Sequence, residues 1–455
     1  MLRERSFSHQ NGICCRMGQH TLSWGEVHKR AAALAKELEQ VRGPILIYGP
    51  KSPEYVIAIV GCFWAGCTYV PAGPHIPPQR IHSMIEQAHI DTSISLSPLP
   101  QELSGMVNEI TLPQKGTDQY SFPVVSRDGA AYILFTSGST GMPKGVVVTY
   151  ANLENFISWF ITRPAIAGLY TRSVLNQAQF TFDLSVADLF YTLYMGCTLE
   201  LIQEDVPVPE SGSRAELAVM TPSFADYCLM NDRFHAAALP CLQTIFFCGE
   251  PLRGNTVRRL WRRFPGLRII NAYGPTEATC AISAAEITPE LAEGETLPIG
   301  MQQGEAVDII IADNNCILLR GTSVARGYLG GNKFNGSFMT GDRGHFSNGY
   351  LWYDGRCDNQ IKYKGYRVEP EEIETVLVAQ PEVRQAVVIP HRDKMGRVLS
   401  LKALVVAERK IQEDMLRYEL QKVLPDYMIP KQIILCESVP LTKNGKIDRR
   451  KAEQI

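Results

Sequence analysis

The chain has 455 residues, of which 45% are hydrophobic and 20% are charged, and its net charge is −2. This length predicts two to four structural units, and the hydrophobic fraction is large enough to bury a substantial core. The balance of 45 Lys and Arg against 47 Asp and Glu gives no electrostatic sign of a nucleic-acid or anionic-membrane partner. The longest uncharged stretch, residues 55–70, is shorter than the roughly 20 residues that cross a bilayer, so we expect no membrane insertion.

Helices and strands alternate in the predicted elements of the first half of the chain. Ser23 and Glu26 form a capping-box pattern that begins an amphipathic helix, and residues 55–70 predict a buried helix followed by a strand. Other strands are predicted in continuous apolar runs, at residues 44–49, 131–138, 146–149, 174–180, 197–202, 218–221, 242–249 and 267–274. Because these runs are continuous and are separated by helices, they predict an α/β domain of layered, mostly parallel sheets with helices on their faces.

The pattern changes near residue 305. Residues 307–321 and 344–356 predict hairpins with Asn and Gly turns, and hence a small β-rich subdomain. The remaining elements predict a compact α+β unit, with helices at 370–379 and 412–423 and strands at 385–390, 400–407 and 432–437. We predict a boundary at residues 356–359, between a large N-terminal domain (1–356) and a small C-terminal domain (357–455).

The 12 cysteines show no C-x-x-C pair and no neighbouring His in a metal-ligand pattern. Several interrupt apolar runs, where a free cysteine behaves as a small hydrophobic residue. The N-terminal residues also lack the apolar core of a secretory signal. These features predict free thiols and a cytoplasmic protein.

The strongest local motif is TSGSTGMPKG at residues 136–145, between two apolar runs. Small residues let backbone N–H groups approach an anion, hydroxyls add donors, and a lysine adds positive charge. The motif is neither a Walker A loop nor a dinucleotide-binding fingerprint, and a merely flexible Gly/Ser loop would not need the lysine. It predicts a phosphate-binding loop that contains Thr136, Ser137, Gly138, Ser139, Thr140 and Lys144.

This loop resembles the phosphate-binding motif of the adenylate-forming superfamily, which includes acyl-CoA ligases, luciferases and nonribosomal peptide adenylation domains. Other segments resemble the superfamily's motifs in the same order: 182–189 (FDLSVADL), 271–279 (NAYGPTEAT), 323–328 (SVARGY), 340–344 (TGDRG), 355–369 (GRCDNQIKYKGYRVE), 424–430 (LPDYMIP) and 440–449 (PLTKNGKIDR). The resemblance implies an enzyme that condenses ATP with a carboxylic acid, releases pyrophosphate, and closes a mobile C-terminal domain over the site.

The resemblance also implies roles for individual residues. Beyond the loop, the ATP-binding residues would be Asn271, Tyr273, Gly274, Thr276, Asp342 and Arg356. Tyr273 would stack on adenine, Asp342 would bind the ribose hydroxyls, and Glu277 would help to hold Mg²⁺.

Two further residues belong to the C-terminal segment. Lys446 would be the catalytic residue that bridges the substrate carboxylate and the α-phosphate. Asp358 would be the hinge about which the small domain rotates between two half-reactions. In the second of these, residues 364–367 would face a phosphopantetheine thiol.

Asp183 suggests that the acid is an amino acid, since superfamily members that activate amino acids carry Asp here to pair with the α-ammonium group. A buried carboxylate without a cation is costly, which favours a charged ligand. The alternative is a helix N-cap, a role that Ser185 could fill instead. The resemblance places an apolar pocket for a small aliphatic side chain around Leu184, Ala187, Val219, Phe246, Cys248, Ala272, Cys280 and Ala281.

Within the superfamily, the segments around Asp183, Cys248 and Tyr273 are most similar to the D-alanine–D-alanyl carrier protein ligases. This implies activation of D- or L-alanine and transfer to the phosphopantetheine thiol of a separate acyl or peptidyl carrier protein. Gly73 and Ala272 depart from that ligase pattern, and the chain is shorter than expected for it. A stand-alone nonribosomal-peptide-type enzyme for Ser, Pro or Val therefore stays open. A CoA ligase for a non-amino acid is disfavoured by Asp183, and a non-catalytic homologue by the presence of Lys446, Glu277 and Asp342.

Overall fold

The computed structural model describes residues 11–138, 142–169, 171–203, 208–209, 212–393, 398–409, 411–442 and 447–455. The helices in chain order are α1 (Trp24–Glu37), α2 (Pro53–Ala65), α3 (Pro78–Ala88), α4 (Tyr150–Ile161), α5 (Pro164–Ala167), α6 (Ser185–Met195), α7 (Pro222–Cys228), α8 (Gly254–Arg263), α9 (Pro370–Val378), α10 (Glu413–Val423) and α11 (Arg449–Ala452). In the part of the chain that the structure describes, no helix combines the length and the apolar character needed to span a membrane.

The strands of the first 286 residues are β1 (Ile13–Met17), β2 (His20–Ser23), β3 (Ile45–Tyr48), β4 (Tyr69–Ala72), β5 (Thr92–Ser95), β6 (Asn108–Ile110), β7 (Ala130–Thr136), β8 (Lys144–Thr149), β9 (Ser173–Asn176), β10 (Thr198–Leu201), β11 (Leu217–Met220), β12 (Thr244–Phe247), β13 (Arg268–Tyr273) and β14 (Ser283–Glu286). The later strands are β15 (Gly300–Met301), β16 (Asp308–Ile311), β17 (Cys316–Arg320), β18 (Gly327–Tyr328), β19 (Ser337–Ser347), β20 (Tyr350–Arg356), β21 (Ile361–Tyr363), β22 (Tyr366–Val368), β23 (Val383–Arg392), β24 (Val398–Ala407) and β25 (Gln432–Leu435).

Two large sheets organise the N-terminal part. One has eight strands in the order β14-β13-β12-β11-β9-β10-β1-β2, and the other has seven in the order β18-β8-β7-β4-β3-β5-β6. Neighbours from β13 through β1 in the first sheet are parallel, as are those from β7 through β6 in the second. Among the described residues, the antiparallel pairs of these two sheets lie toward their edges. The expectation of layered, mostly parallel sheets is confirmed.

One large apolar cluster joins helices to strands of both sheets. Its buried members include Val27 of α1, Ile57 of α2, Phe156 of α4 and Phe190 of α6. The predicted capping box begins α1, because the Ser23 side chain accepts a hydrogen bond from the Glu26 N–H and the Glu26 carboxylate accepts one from Ser23 N–H. The uncharged stretch at residues 55–70 forms most of α2 and the start of β4, as predicted.

A five-stranded antiparallel sheet in the order β15-β20-β19-β17-β16 forms the predicted β-rich subdomain. This sheet corrects one expectation, since Cys316 of β17 and Cys357 form a disulfide. The two cysteines are 41 residues apart in sequence, so no local motif predicts that they pair. The other described cysteines are free, as expected, and most of them are buried.

The C-terminal segment has its own apolar core. The hairpin β21–β22 is followed by a three-stranded sheet in the order β23-β24-β25, on which α9 and α10 pack. Ile373 and Leu377 of α9 and Leu416 and Leu420 of α10 are buried in this core. The fold is therefore a large α/β part with a β-rich subdomain, followed by a small α+β unit.

Candidate active site

A cleft opens where the sheets meet the C-terminal segment. Its walls include the end of β7, the segment that precedes α6, and the residues that follow β12 and β13. Ligand sites in parallel α/β sheets lie beyond the carboxyl ends of the strands, and these segments occupy that position. The C-terminal segment closes the cleft with Gln360, Lys362, Tyr366, Arg367 and Tyr427.

The described part of the phosphate loop contacts the C-terminal segment. The Ser137 hydroxyl donates to the Arg367 carbonyl at 2.7 Å, and the Gly138 N–H donates to Glu372 Oε2 at 3.0 Å. Thr136 lines the cleft, and Lys144 Nζ lies 5.6 Å from the centre of the Tyr328 ring. Ser139 and Thr140, which were predicted to bind ATP, lie outside the described residues.

Asp342 is hydrogen-bonded to two of the other residues that were assigned to ATP. Its Oδ2 accepts a hydrogen bond from the Tyr273 hydroxyl at 2.7 Å, and its Oδ1 accepts one from Arg356 Nη1 at 2.8 Å. Burial raises the pKa of Asp342, but the positive charges of Lys362 and Arg356 outweigh this and hold the pKa below its ordinary value. Asp342 is therefore an anionic acceptor at neutral pH.

Asn271 and Gly274 occupy different places, although one motif contains both. Gly274 lines the cleft. Asn271 is buried in β13 and is absent from the cleft wall; its Nδ2 donates to the Pro298 carbonyl at 2.8 Å. Its direct contribution in this structure is to hold the segment before β15.

Asp183 faces the cleft just before α6. Its Oδ2 accepts a hydrogen bond of 2.5 Å from the Thr276 hydroxyl. Burial raises the pKa of Asp183 to about 6, with a further increase from the nearby Glu277 charge, while the Thr276 hydrogen bond opposes the shift. The Asp183 side chain does not cap α6, whose N-cap residue is Leu184 without a side-chain hydrogen bond. Ser185 does not cap it either, because its hydroxyl donates to the Phe182 carbonyl.

The residues assigned to the substrate side chain form two layers. Leu184, Cys248 and Cys280 line the cleft, and Cys248 Sγ lies 3.8 Å from the Cys280 carbonyl oxygen. The second layer is buried in the main apolar cluster behind them and consists of Ala187, Val219, Phe246, Ala272 and Ala281. The residues of the first layer can contact a ligand in the cleft. The residues of the second layer pack behind them and support their side chains.

Glu277, the predicted metal ligand, is fully buried. Its Oε1 accepts hydrogen bonds from Arg367 Nη1 at 2.7 Å and from the Tyr328 hydroxyl at 2.5 Å. Its Oε2 has no hydrogen-bond partner among the described residues. Within the same residues, no group of three or more His, Cys, Asp and Glu side chains could hold a metal ion.

Several residues at the cleft or beside it were not individually predicted as site residues. Arg80 and Glu372 form a buried ion pair across the interface. Tyr366 stacks on Tyr427, with ring centres 3.9 Å apart, and also contacts Phe182. Tyr366 lies in segment 355–369, which resembles a superfamily motif. A motif in the sequence does not show which residues its side chains contact in the folded protein.

The structure describes Asp358, the predicted hinge residue, but not Lys446, the predicted catalytic residue. Asp358 accepts hydrogen bonds from Arg356 Nε at 2.7 Å and from Arg356 Nη2 at 2.5 Å. It thereby joins the junction of the two parts of the chain to the Asp342 cluster. Lys446 lies outside the described residues.

Two family models match the chain. The AMP-binding enzyme model matches residues 2–329, and the model of the AMP-binding enzyme C-terminal domain matches residues 372–446. D-alanine–D-alanyl carrier protein ligases from Bacillus anthracis and Bacillus cereus strains are 35% identical, over 92% of this chain and 90% of their own length.

Solved structures share the fold at lower identity. An o-succinylbenzoate CoA synthetase from Bacillus subtilis has a TM-score of 0.86 at 19% identity and covers 100% of this chain and 98% of its own. An adenylation domain from Vibrio cholerae in complex with glycyl-adenosine-5'-phosphate has a TM-score of 0.85 at 22% identity, covering 100% and 96%. The matches confirm the α/β fold and the family resemblance inferred from the motifs.

Proposed function

The chain belongs to the AMP-binding enzyme family, and we propose that it uses ATP to activate D-alanine as D-alanyl-AMP. The D-alanyl group would then pass to the phosphopantetheine thiol of a separate carrier protein. The observation that carries this proposal is Asp183, a carboxylate in the cleft beside a small apolar wall. The named activity of the relatives that are 35% identical supports the same assignment.

The electrostatics of Asp183 support an amino-acid substrate. Without a ligand, burial disfavours its charge and raises its pKa to about 6. The α-ammonium group of an amino acid would supply the missing cation, so the carboxylate would bind it in the ionised form. A fatty or aryl acid has no such cation and would leave this cost uncompensated.

The apolar wall supports a short side chain. Leu184, Cys248 and Cys280 are the contact surface, and the second layer behind them contains three alanines. This wall offers no charge to a substrate side chain and suits a methyl group. The structural features favour alanine over serine, whose hydroxyl would lack a polar partner on this wall.

The nucleotide would extend from this wall along the cleft. Asp342, held by Tyr273 and Arg356, supplies the acceptor for the ribose hydroxyls. Loop residues 136–138 supply donors for the phosphates. The unpartnered Glu277 Oε2 fits one ligand to Mg²⁺, the remaining ligands being phosphate oxygens and water. When bound, Mg²⁺ would neutralise charge on the phosphates.

The adenylation step requires that the amino acid and ATP be positioned for reaction, and it needs no nucleophile from the enzyme. A substrate carboxylate oxygen attacks the α-phosphorus, the bond to the bridging oxygen breaks, and pyrophosphate leaves with that electron pair. We assign the stabilisation of the developing negative charge to Lys446, as the superfamily motif suggests. The need for ATP supports a cytoplasmic location.

We further propose that residues 1–356 and 357–455 are two domains that rotate about Asp358 between the half-reactions. Hydrogen bonds from Arg356 link Asp358 to Asp342, the carboxylate that we assign to the ribose, and this link supports the hinge. Rotation would exchange the segment containing Lys446 for hairpin β21–β22 at the cleft, where the acceptor thiol would attack the acyl carbon and release AMP.

A loading experiment tests the transfer. The enzyme is incubated with ATP, Mg²⁺ and D-alanine, and the acceptor is a phosphopantetheinylated carrier protein, the same carrier without phosphopantetheine, or coenzyme A. Intact-mass spectrometry of the carrier reports the acyl group. We expect loading only of the modified carrier. Acylation of coenzyme A in preference to every carrier would contradict the proposed acceptor.

A further inference from the structure

The connection between β9 and α6, residues 177–184, carries Asp183 to the cleft. Its residues belong to no helix or strand, so the position of Asp183 depends on contacts that the connection makes with other parts of the chain. Three residues that lie between β3 and α3 make such contacts: Lys51, Tyr55 and His75. The seven-stranded sheet and its connections therefore hold a segment that belongs to the eight-stranded sheet.

Lys51 holds the start of the connection. Its side chain is buried, and its Nζ donates to the Asn176 carbonyl at 3.1 Å and to the Gln177 carbonyl at 3.0 Å. The Asn176 side chain in turn donates to Asp188 Oδ2 at 2.8 Å, in the first turn of α6. Hydrogen bonds from a charged donor are stronger than those between neutral groups. Lys51 therefore fixes the end of β9, from which the connection departs.

Tyr55 and His75 contact the middle of the connection. The Tyr55 ring stacks on Phe180, with ring centres 5.0 Å apart. His75 Nε2 lies 3.0 Å from Thr181 Oγ1, in a hydrogen bond two residues before Asp183. His75 and Thr181 line the same cleft as Asp183. This hydrogen bond is therefore placed beside the carboxylate that we assign to the α-ammonium group.

Gly73 leaves the space that the His75 ring occupies. A Cβ atom at Gly73 would lie 2.8 Å from His75 Cε1 and 2.9 Å from His75 Nδ1, well inside the roughly 3.5–4.0 Å at which such atoms pack. The Gly73 backbone does not have the positive φ that would by itself require glycine. Glycine at this position, a departure from the ligase pattern, is therefore explained by the imidazole beside it.

We propose that Lys51 and His75 are positioning residues for the α-ammonium group of the substrate, and that they act through residues 177–184 by fixing Asp183 where that group binds. The inference rests on the proposed function, which takes Asp183 as the partner of the ammonium. A small displacement of a charged group weakens its interaction with the ligand. Loss of either residue should therefore weaken the binding of the amino acid more than the binding of ATP.

Pyrophosphate exchange with D-alanine tests this role. We expect Lys51→Met, His75→Ala and Thr181→Val each to raise the KM for D-alanine by about five- to twentyfold, with the KM for ATP changed by less than about twofold. Lys51→Gln, which keeps a neutral donor, serves the same purpose should Lys51→Met fail to fold. Lys29→Met and His82→Ala are the matched controls, because both residues are exposed and form surface ion pairs.

Conservative variants test the hydrogen bond between His75 and Thr181. His75→Gln keeps an amide that can donate or accept, and Thr181→Ser keeps the hydroxyl, so both should restore most of the affinity for D-alanine. Gly73→Ala should act like His75→Ala, because it displaces the ring. The double variant of His75→Ala and Thr181→Val should exceed the larger single effect by less than about twofold, since the same hydrogen bond is lost in each.

The outcomes separate this role from the proposed function. An unchanged KM for D-alanine in the Lys51 and His75 variants would overturn the positioning role, and so would a parallel rise in the KM for ATP. Either result would leave the proposed function standing. Wild type that exchanges with no amino acid, or Asp183→Asn with full activity, would refute the proposed function and the positioning role together.

Discussion

Replacing Asp183 with asparagine should stabilise the ligand-free protein while removing its activity. The pKa of this carboxyl rises from 3.8 to about 6, and each pKa unit corresponds to about 1.4 kcal/mol, which gives an upper limit of about 3 kcal/mol. Asp183 is only partly buried, so cleft water screens its charge and we expect about 1–2 kcal/mol. For a domain of this size, that gain raises the melting temperature by about 1–3 °C.

The stability gain has a defined pH dependence. The folded protein holds the Asp183 proton more tightly than the unfolded chain does, so the cost of ionisation grows as pH rises from 3.8 to about 6. Above that range the cost is constant. Melting temperatures of wild type and Asp183→Asn should therefore differ most at pH 7–8 and converge toward pH 4.

The activity of Asp183→Asn should fall, although its stability should rise. Loss of the charge partner of the substrate ammonium should lower kcat/KM for the amino acid in pyrophosphate exchange by at least about 100-fold. In wild type, the KM for the amino acid should rise as pH falls through about 6, because the protonated carboxyl cannot pair with the ammonium.

Asp342→Asn is the contrasting control. Its carboxylate has a lowered pKa and an arginine partner, so its replacement should destabilise the protein. A variant Asp183→Asn that is less stable than wild type at pH 8, or that retains exchange activity, would refute the reasoning.

Three other substitutions test separate parts of the proposed function. Lys446→Ala should lower pyrophosphate exchange by orders of magnitude with an unchanged melting temperature, and near-normal exchange would contradict its catalytic role. Asp358→Pro should impair carrier loading more than exchange, since it restricts the hinge; equal losses in both assays would argue against rotation there. Cys248→Ala should enlarge the space beside the apolar wall and shift kcat/KM toward 2-aminobutyrate by about tenfold, and unchanged selectivity would contradict a contact between Cys248 and the substrate side chain.

Most of the fold could be predicted from the sequence because its signals are local. The continuous apolar runs identify buried parallel strands, and the Ser23–Glu26 pattern sets the start of α1 within one turn. The Asn and Gly turns likewise mark the antiparallel hairpins β16–β17 and β19–β20. In each of these cases the residues that interact lie close together in the chain or repeat with a fixed period.

The docking of the C-terminal segment could not be predicted in this way. Glu372 reaches Gly138 across 234 residues, and Arg367 reaches Glu277 across 90. Charge alone does not pair these residues, because many other carboxylates and arginines are available. The disulfide between Cys316 and Cys357 was missed for the same reason, since it depends on how β17 and the end of β20 are placed.

The residues around the substrate side chain could be predicted from the sequence only in part. The motifs placed eight residues around the side chain, but the structure puts only Leu184, Cys248 and Cys280 at the cleft. The others are buried in the core behind them. Sequence position distinguishes residues near a site from the rest of the chain, whereas strand pleat and helix rotation decide which of them face the ligand.

Amino-acid-dependent exchange of pyrophosphate into ATP tests the central claim most directly. The substrates to compare are D-alanine, L-alanine, glycine, serine, valine and proline, with a fatty and an aryl acid as controls. The proposed function predicts the highest kcat/KM for D-alanine and none for the two acids without an ammonium group. Exchange supported by a fatty or aryl acid and by no small amino acid would contradict it.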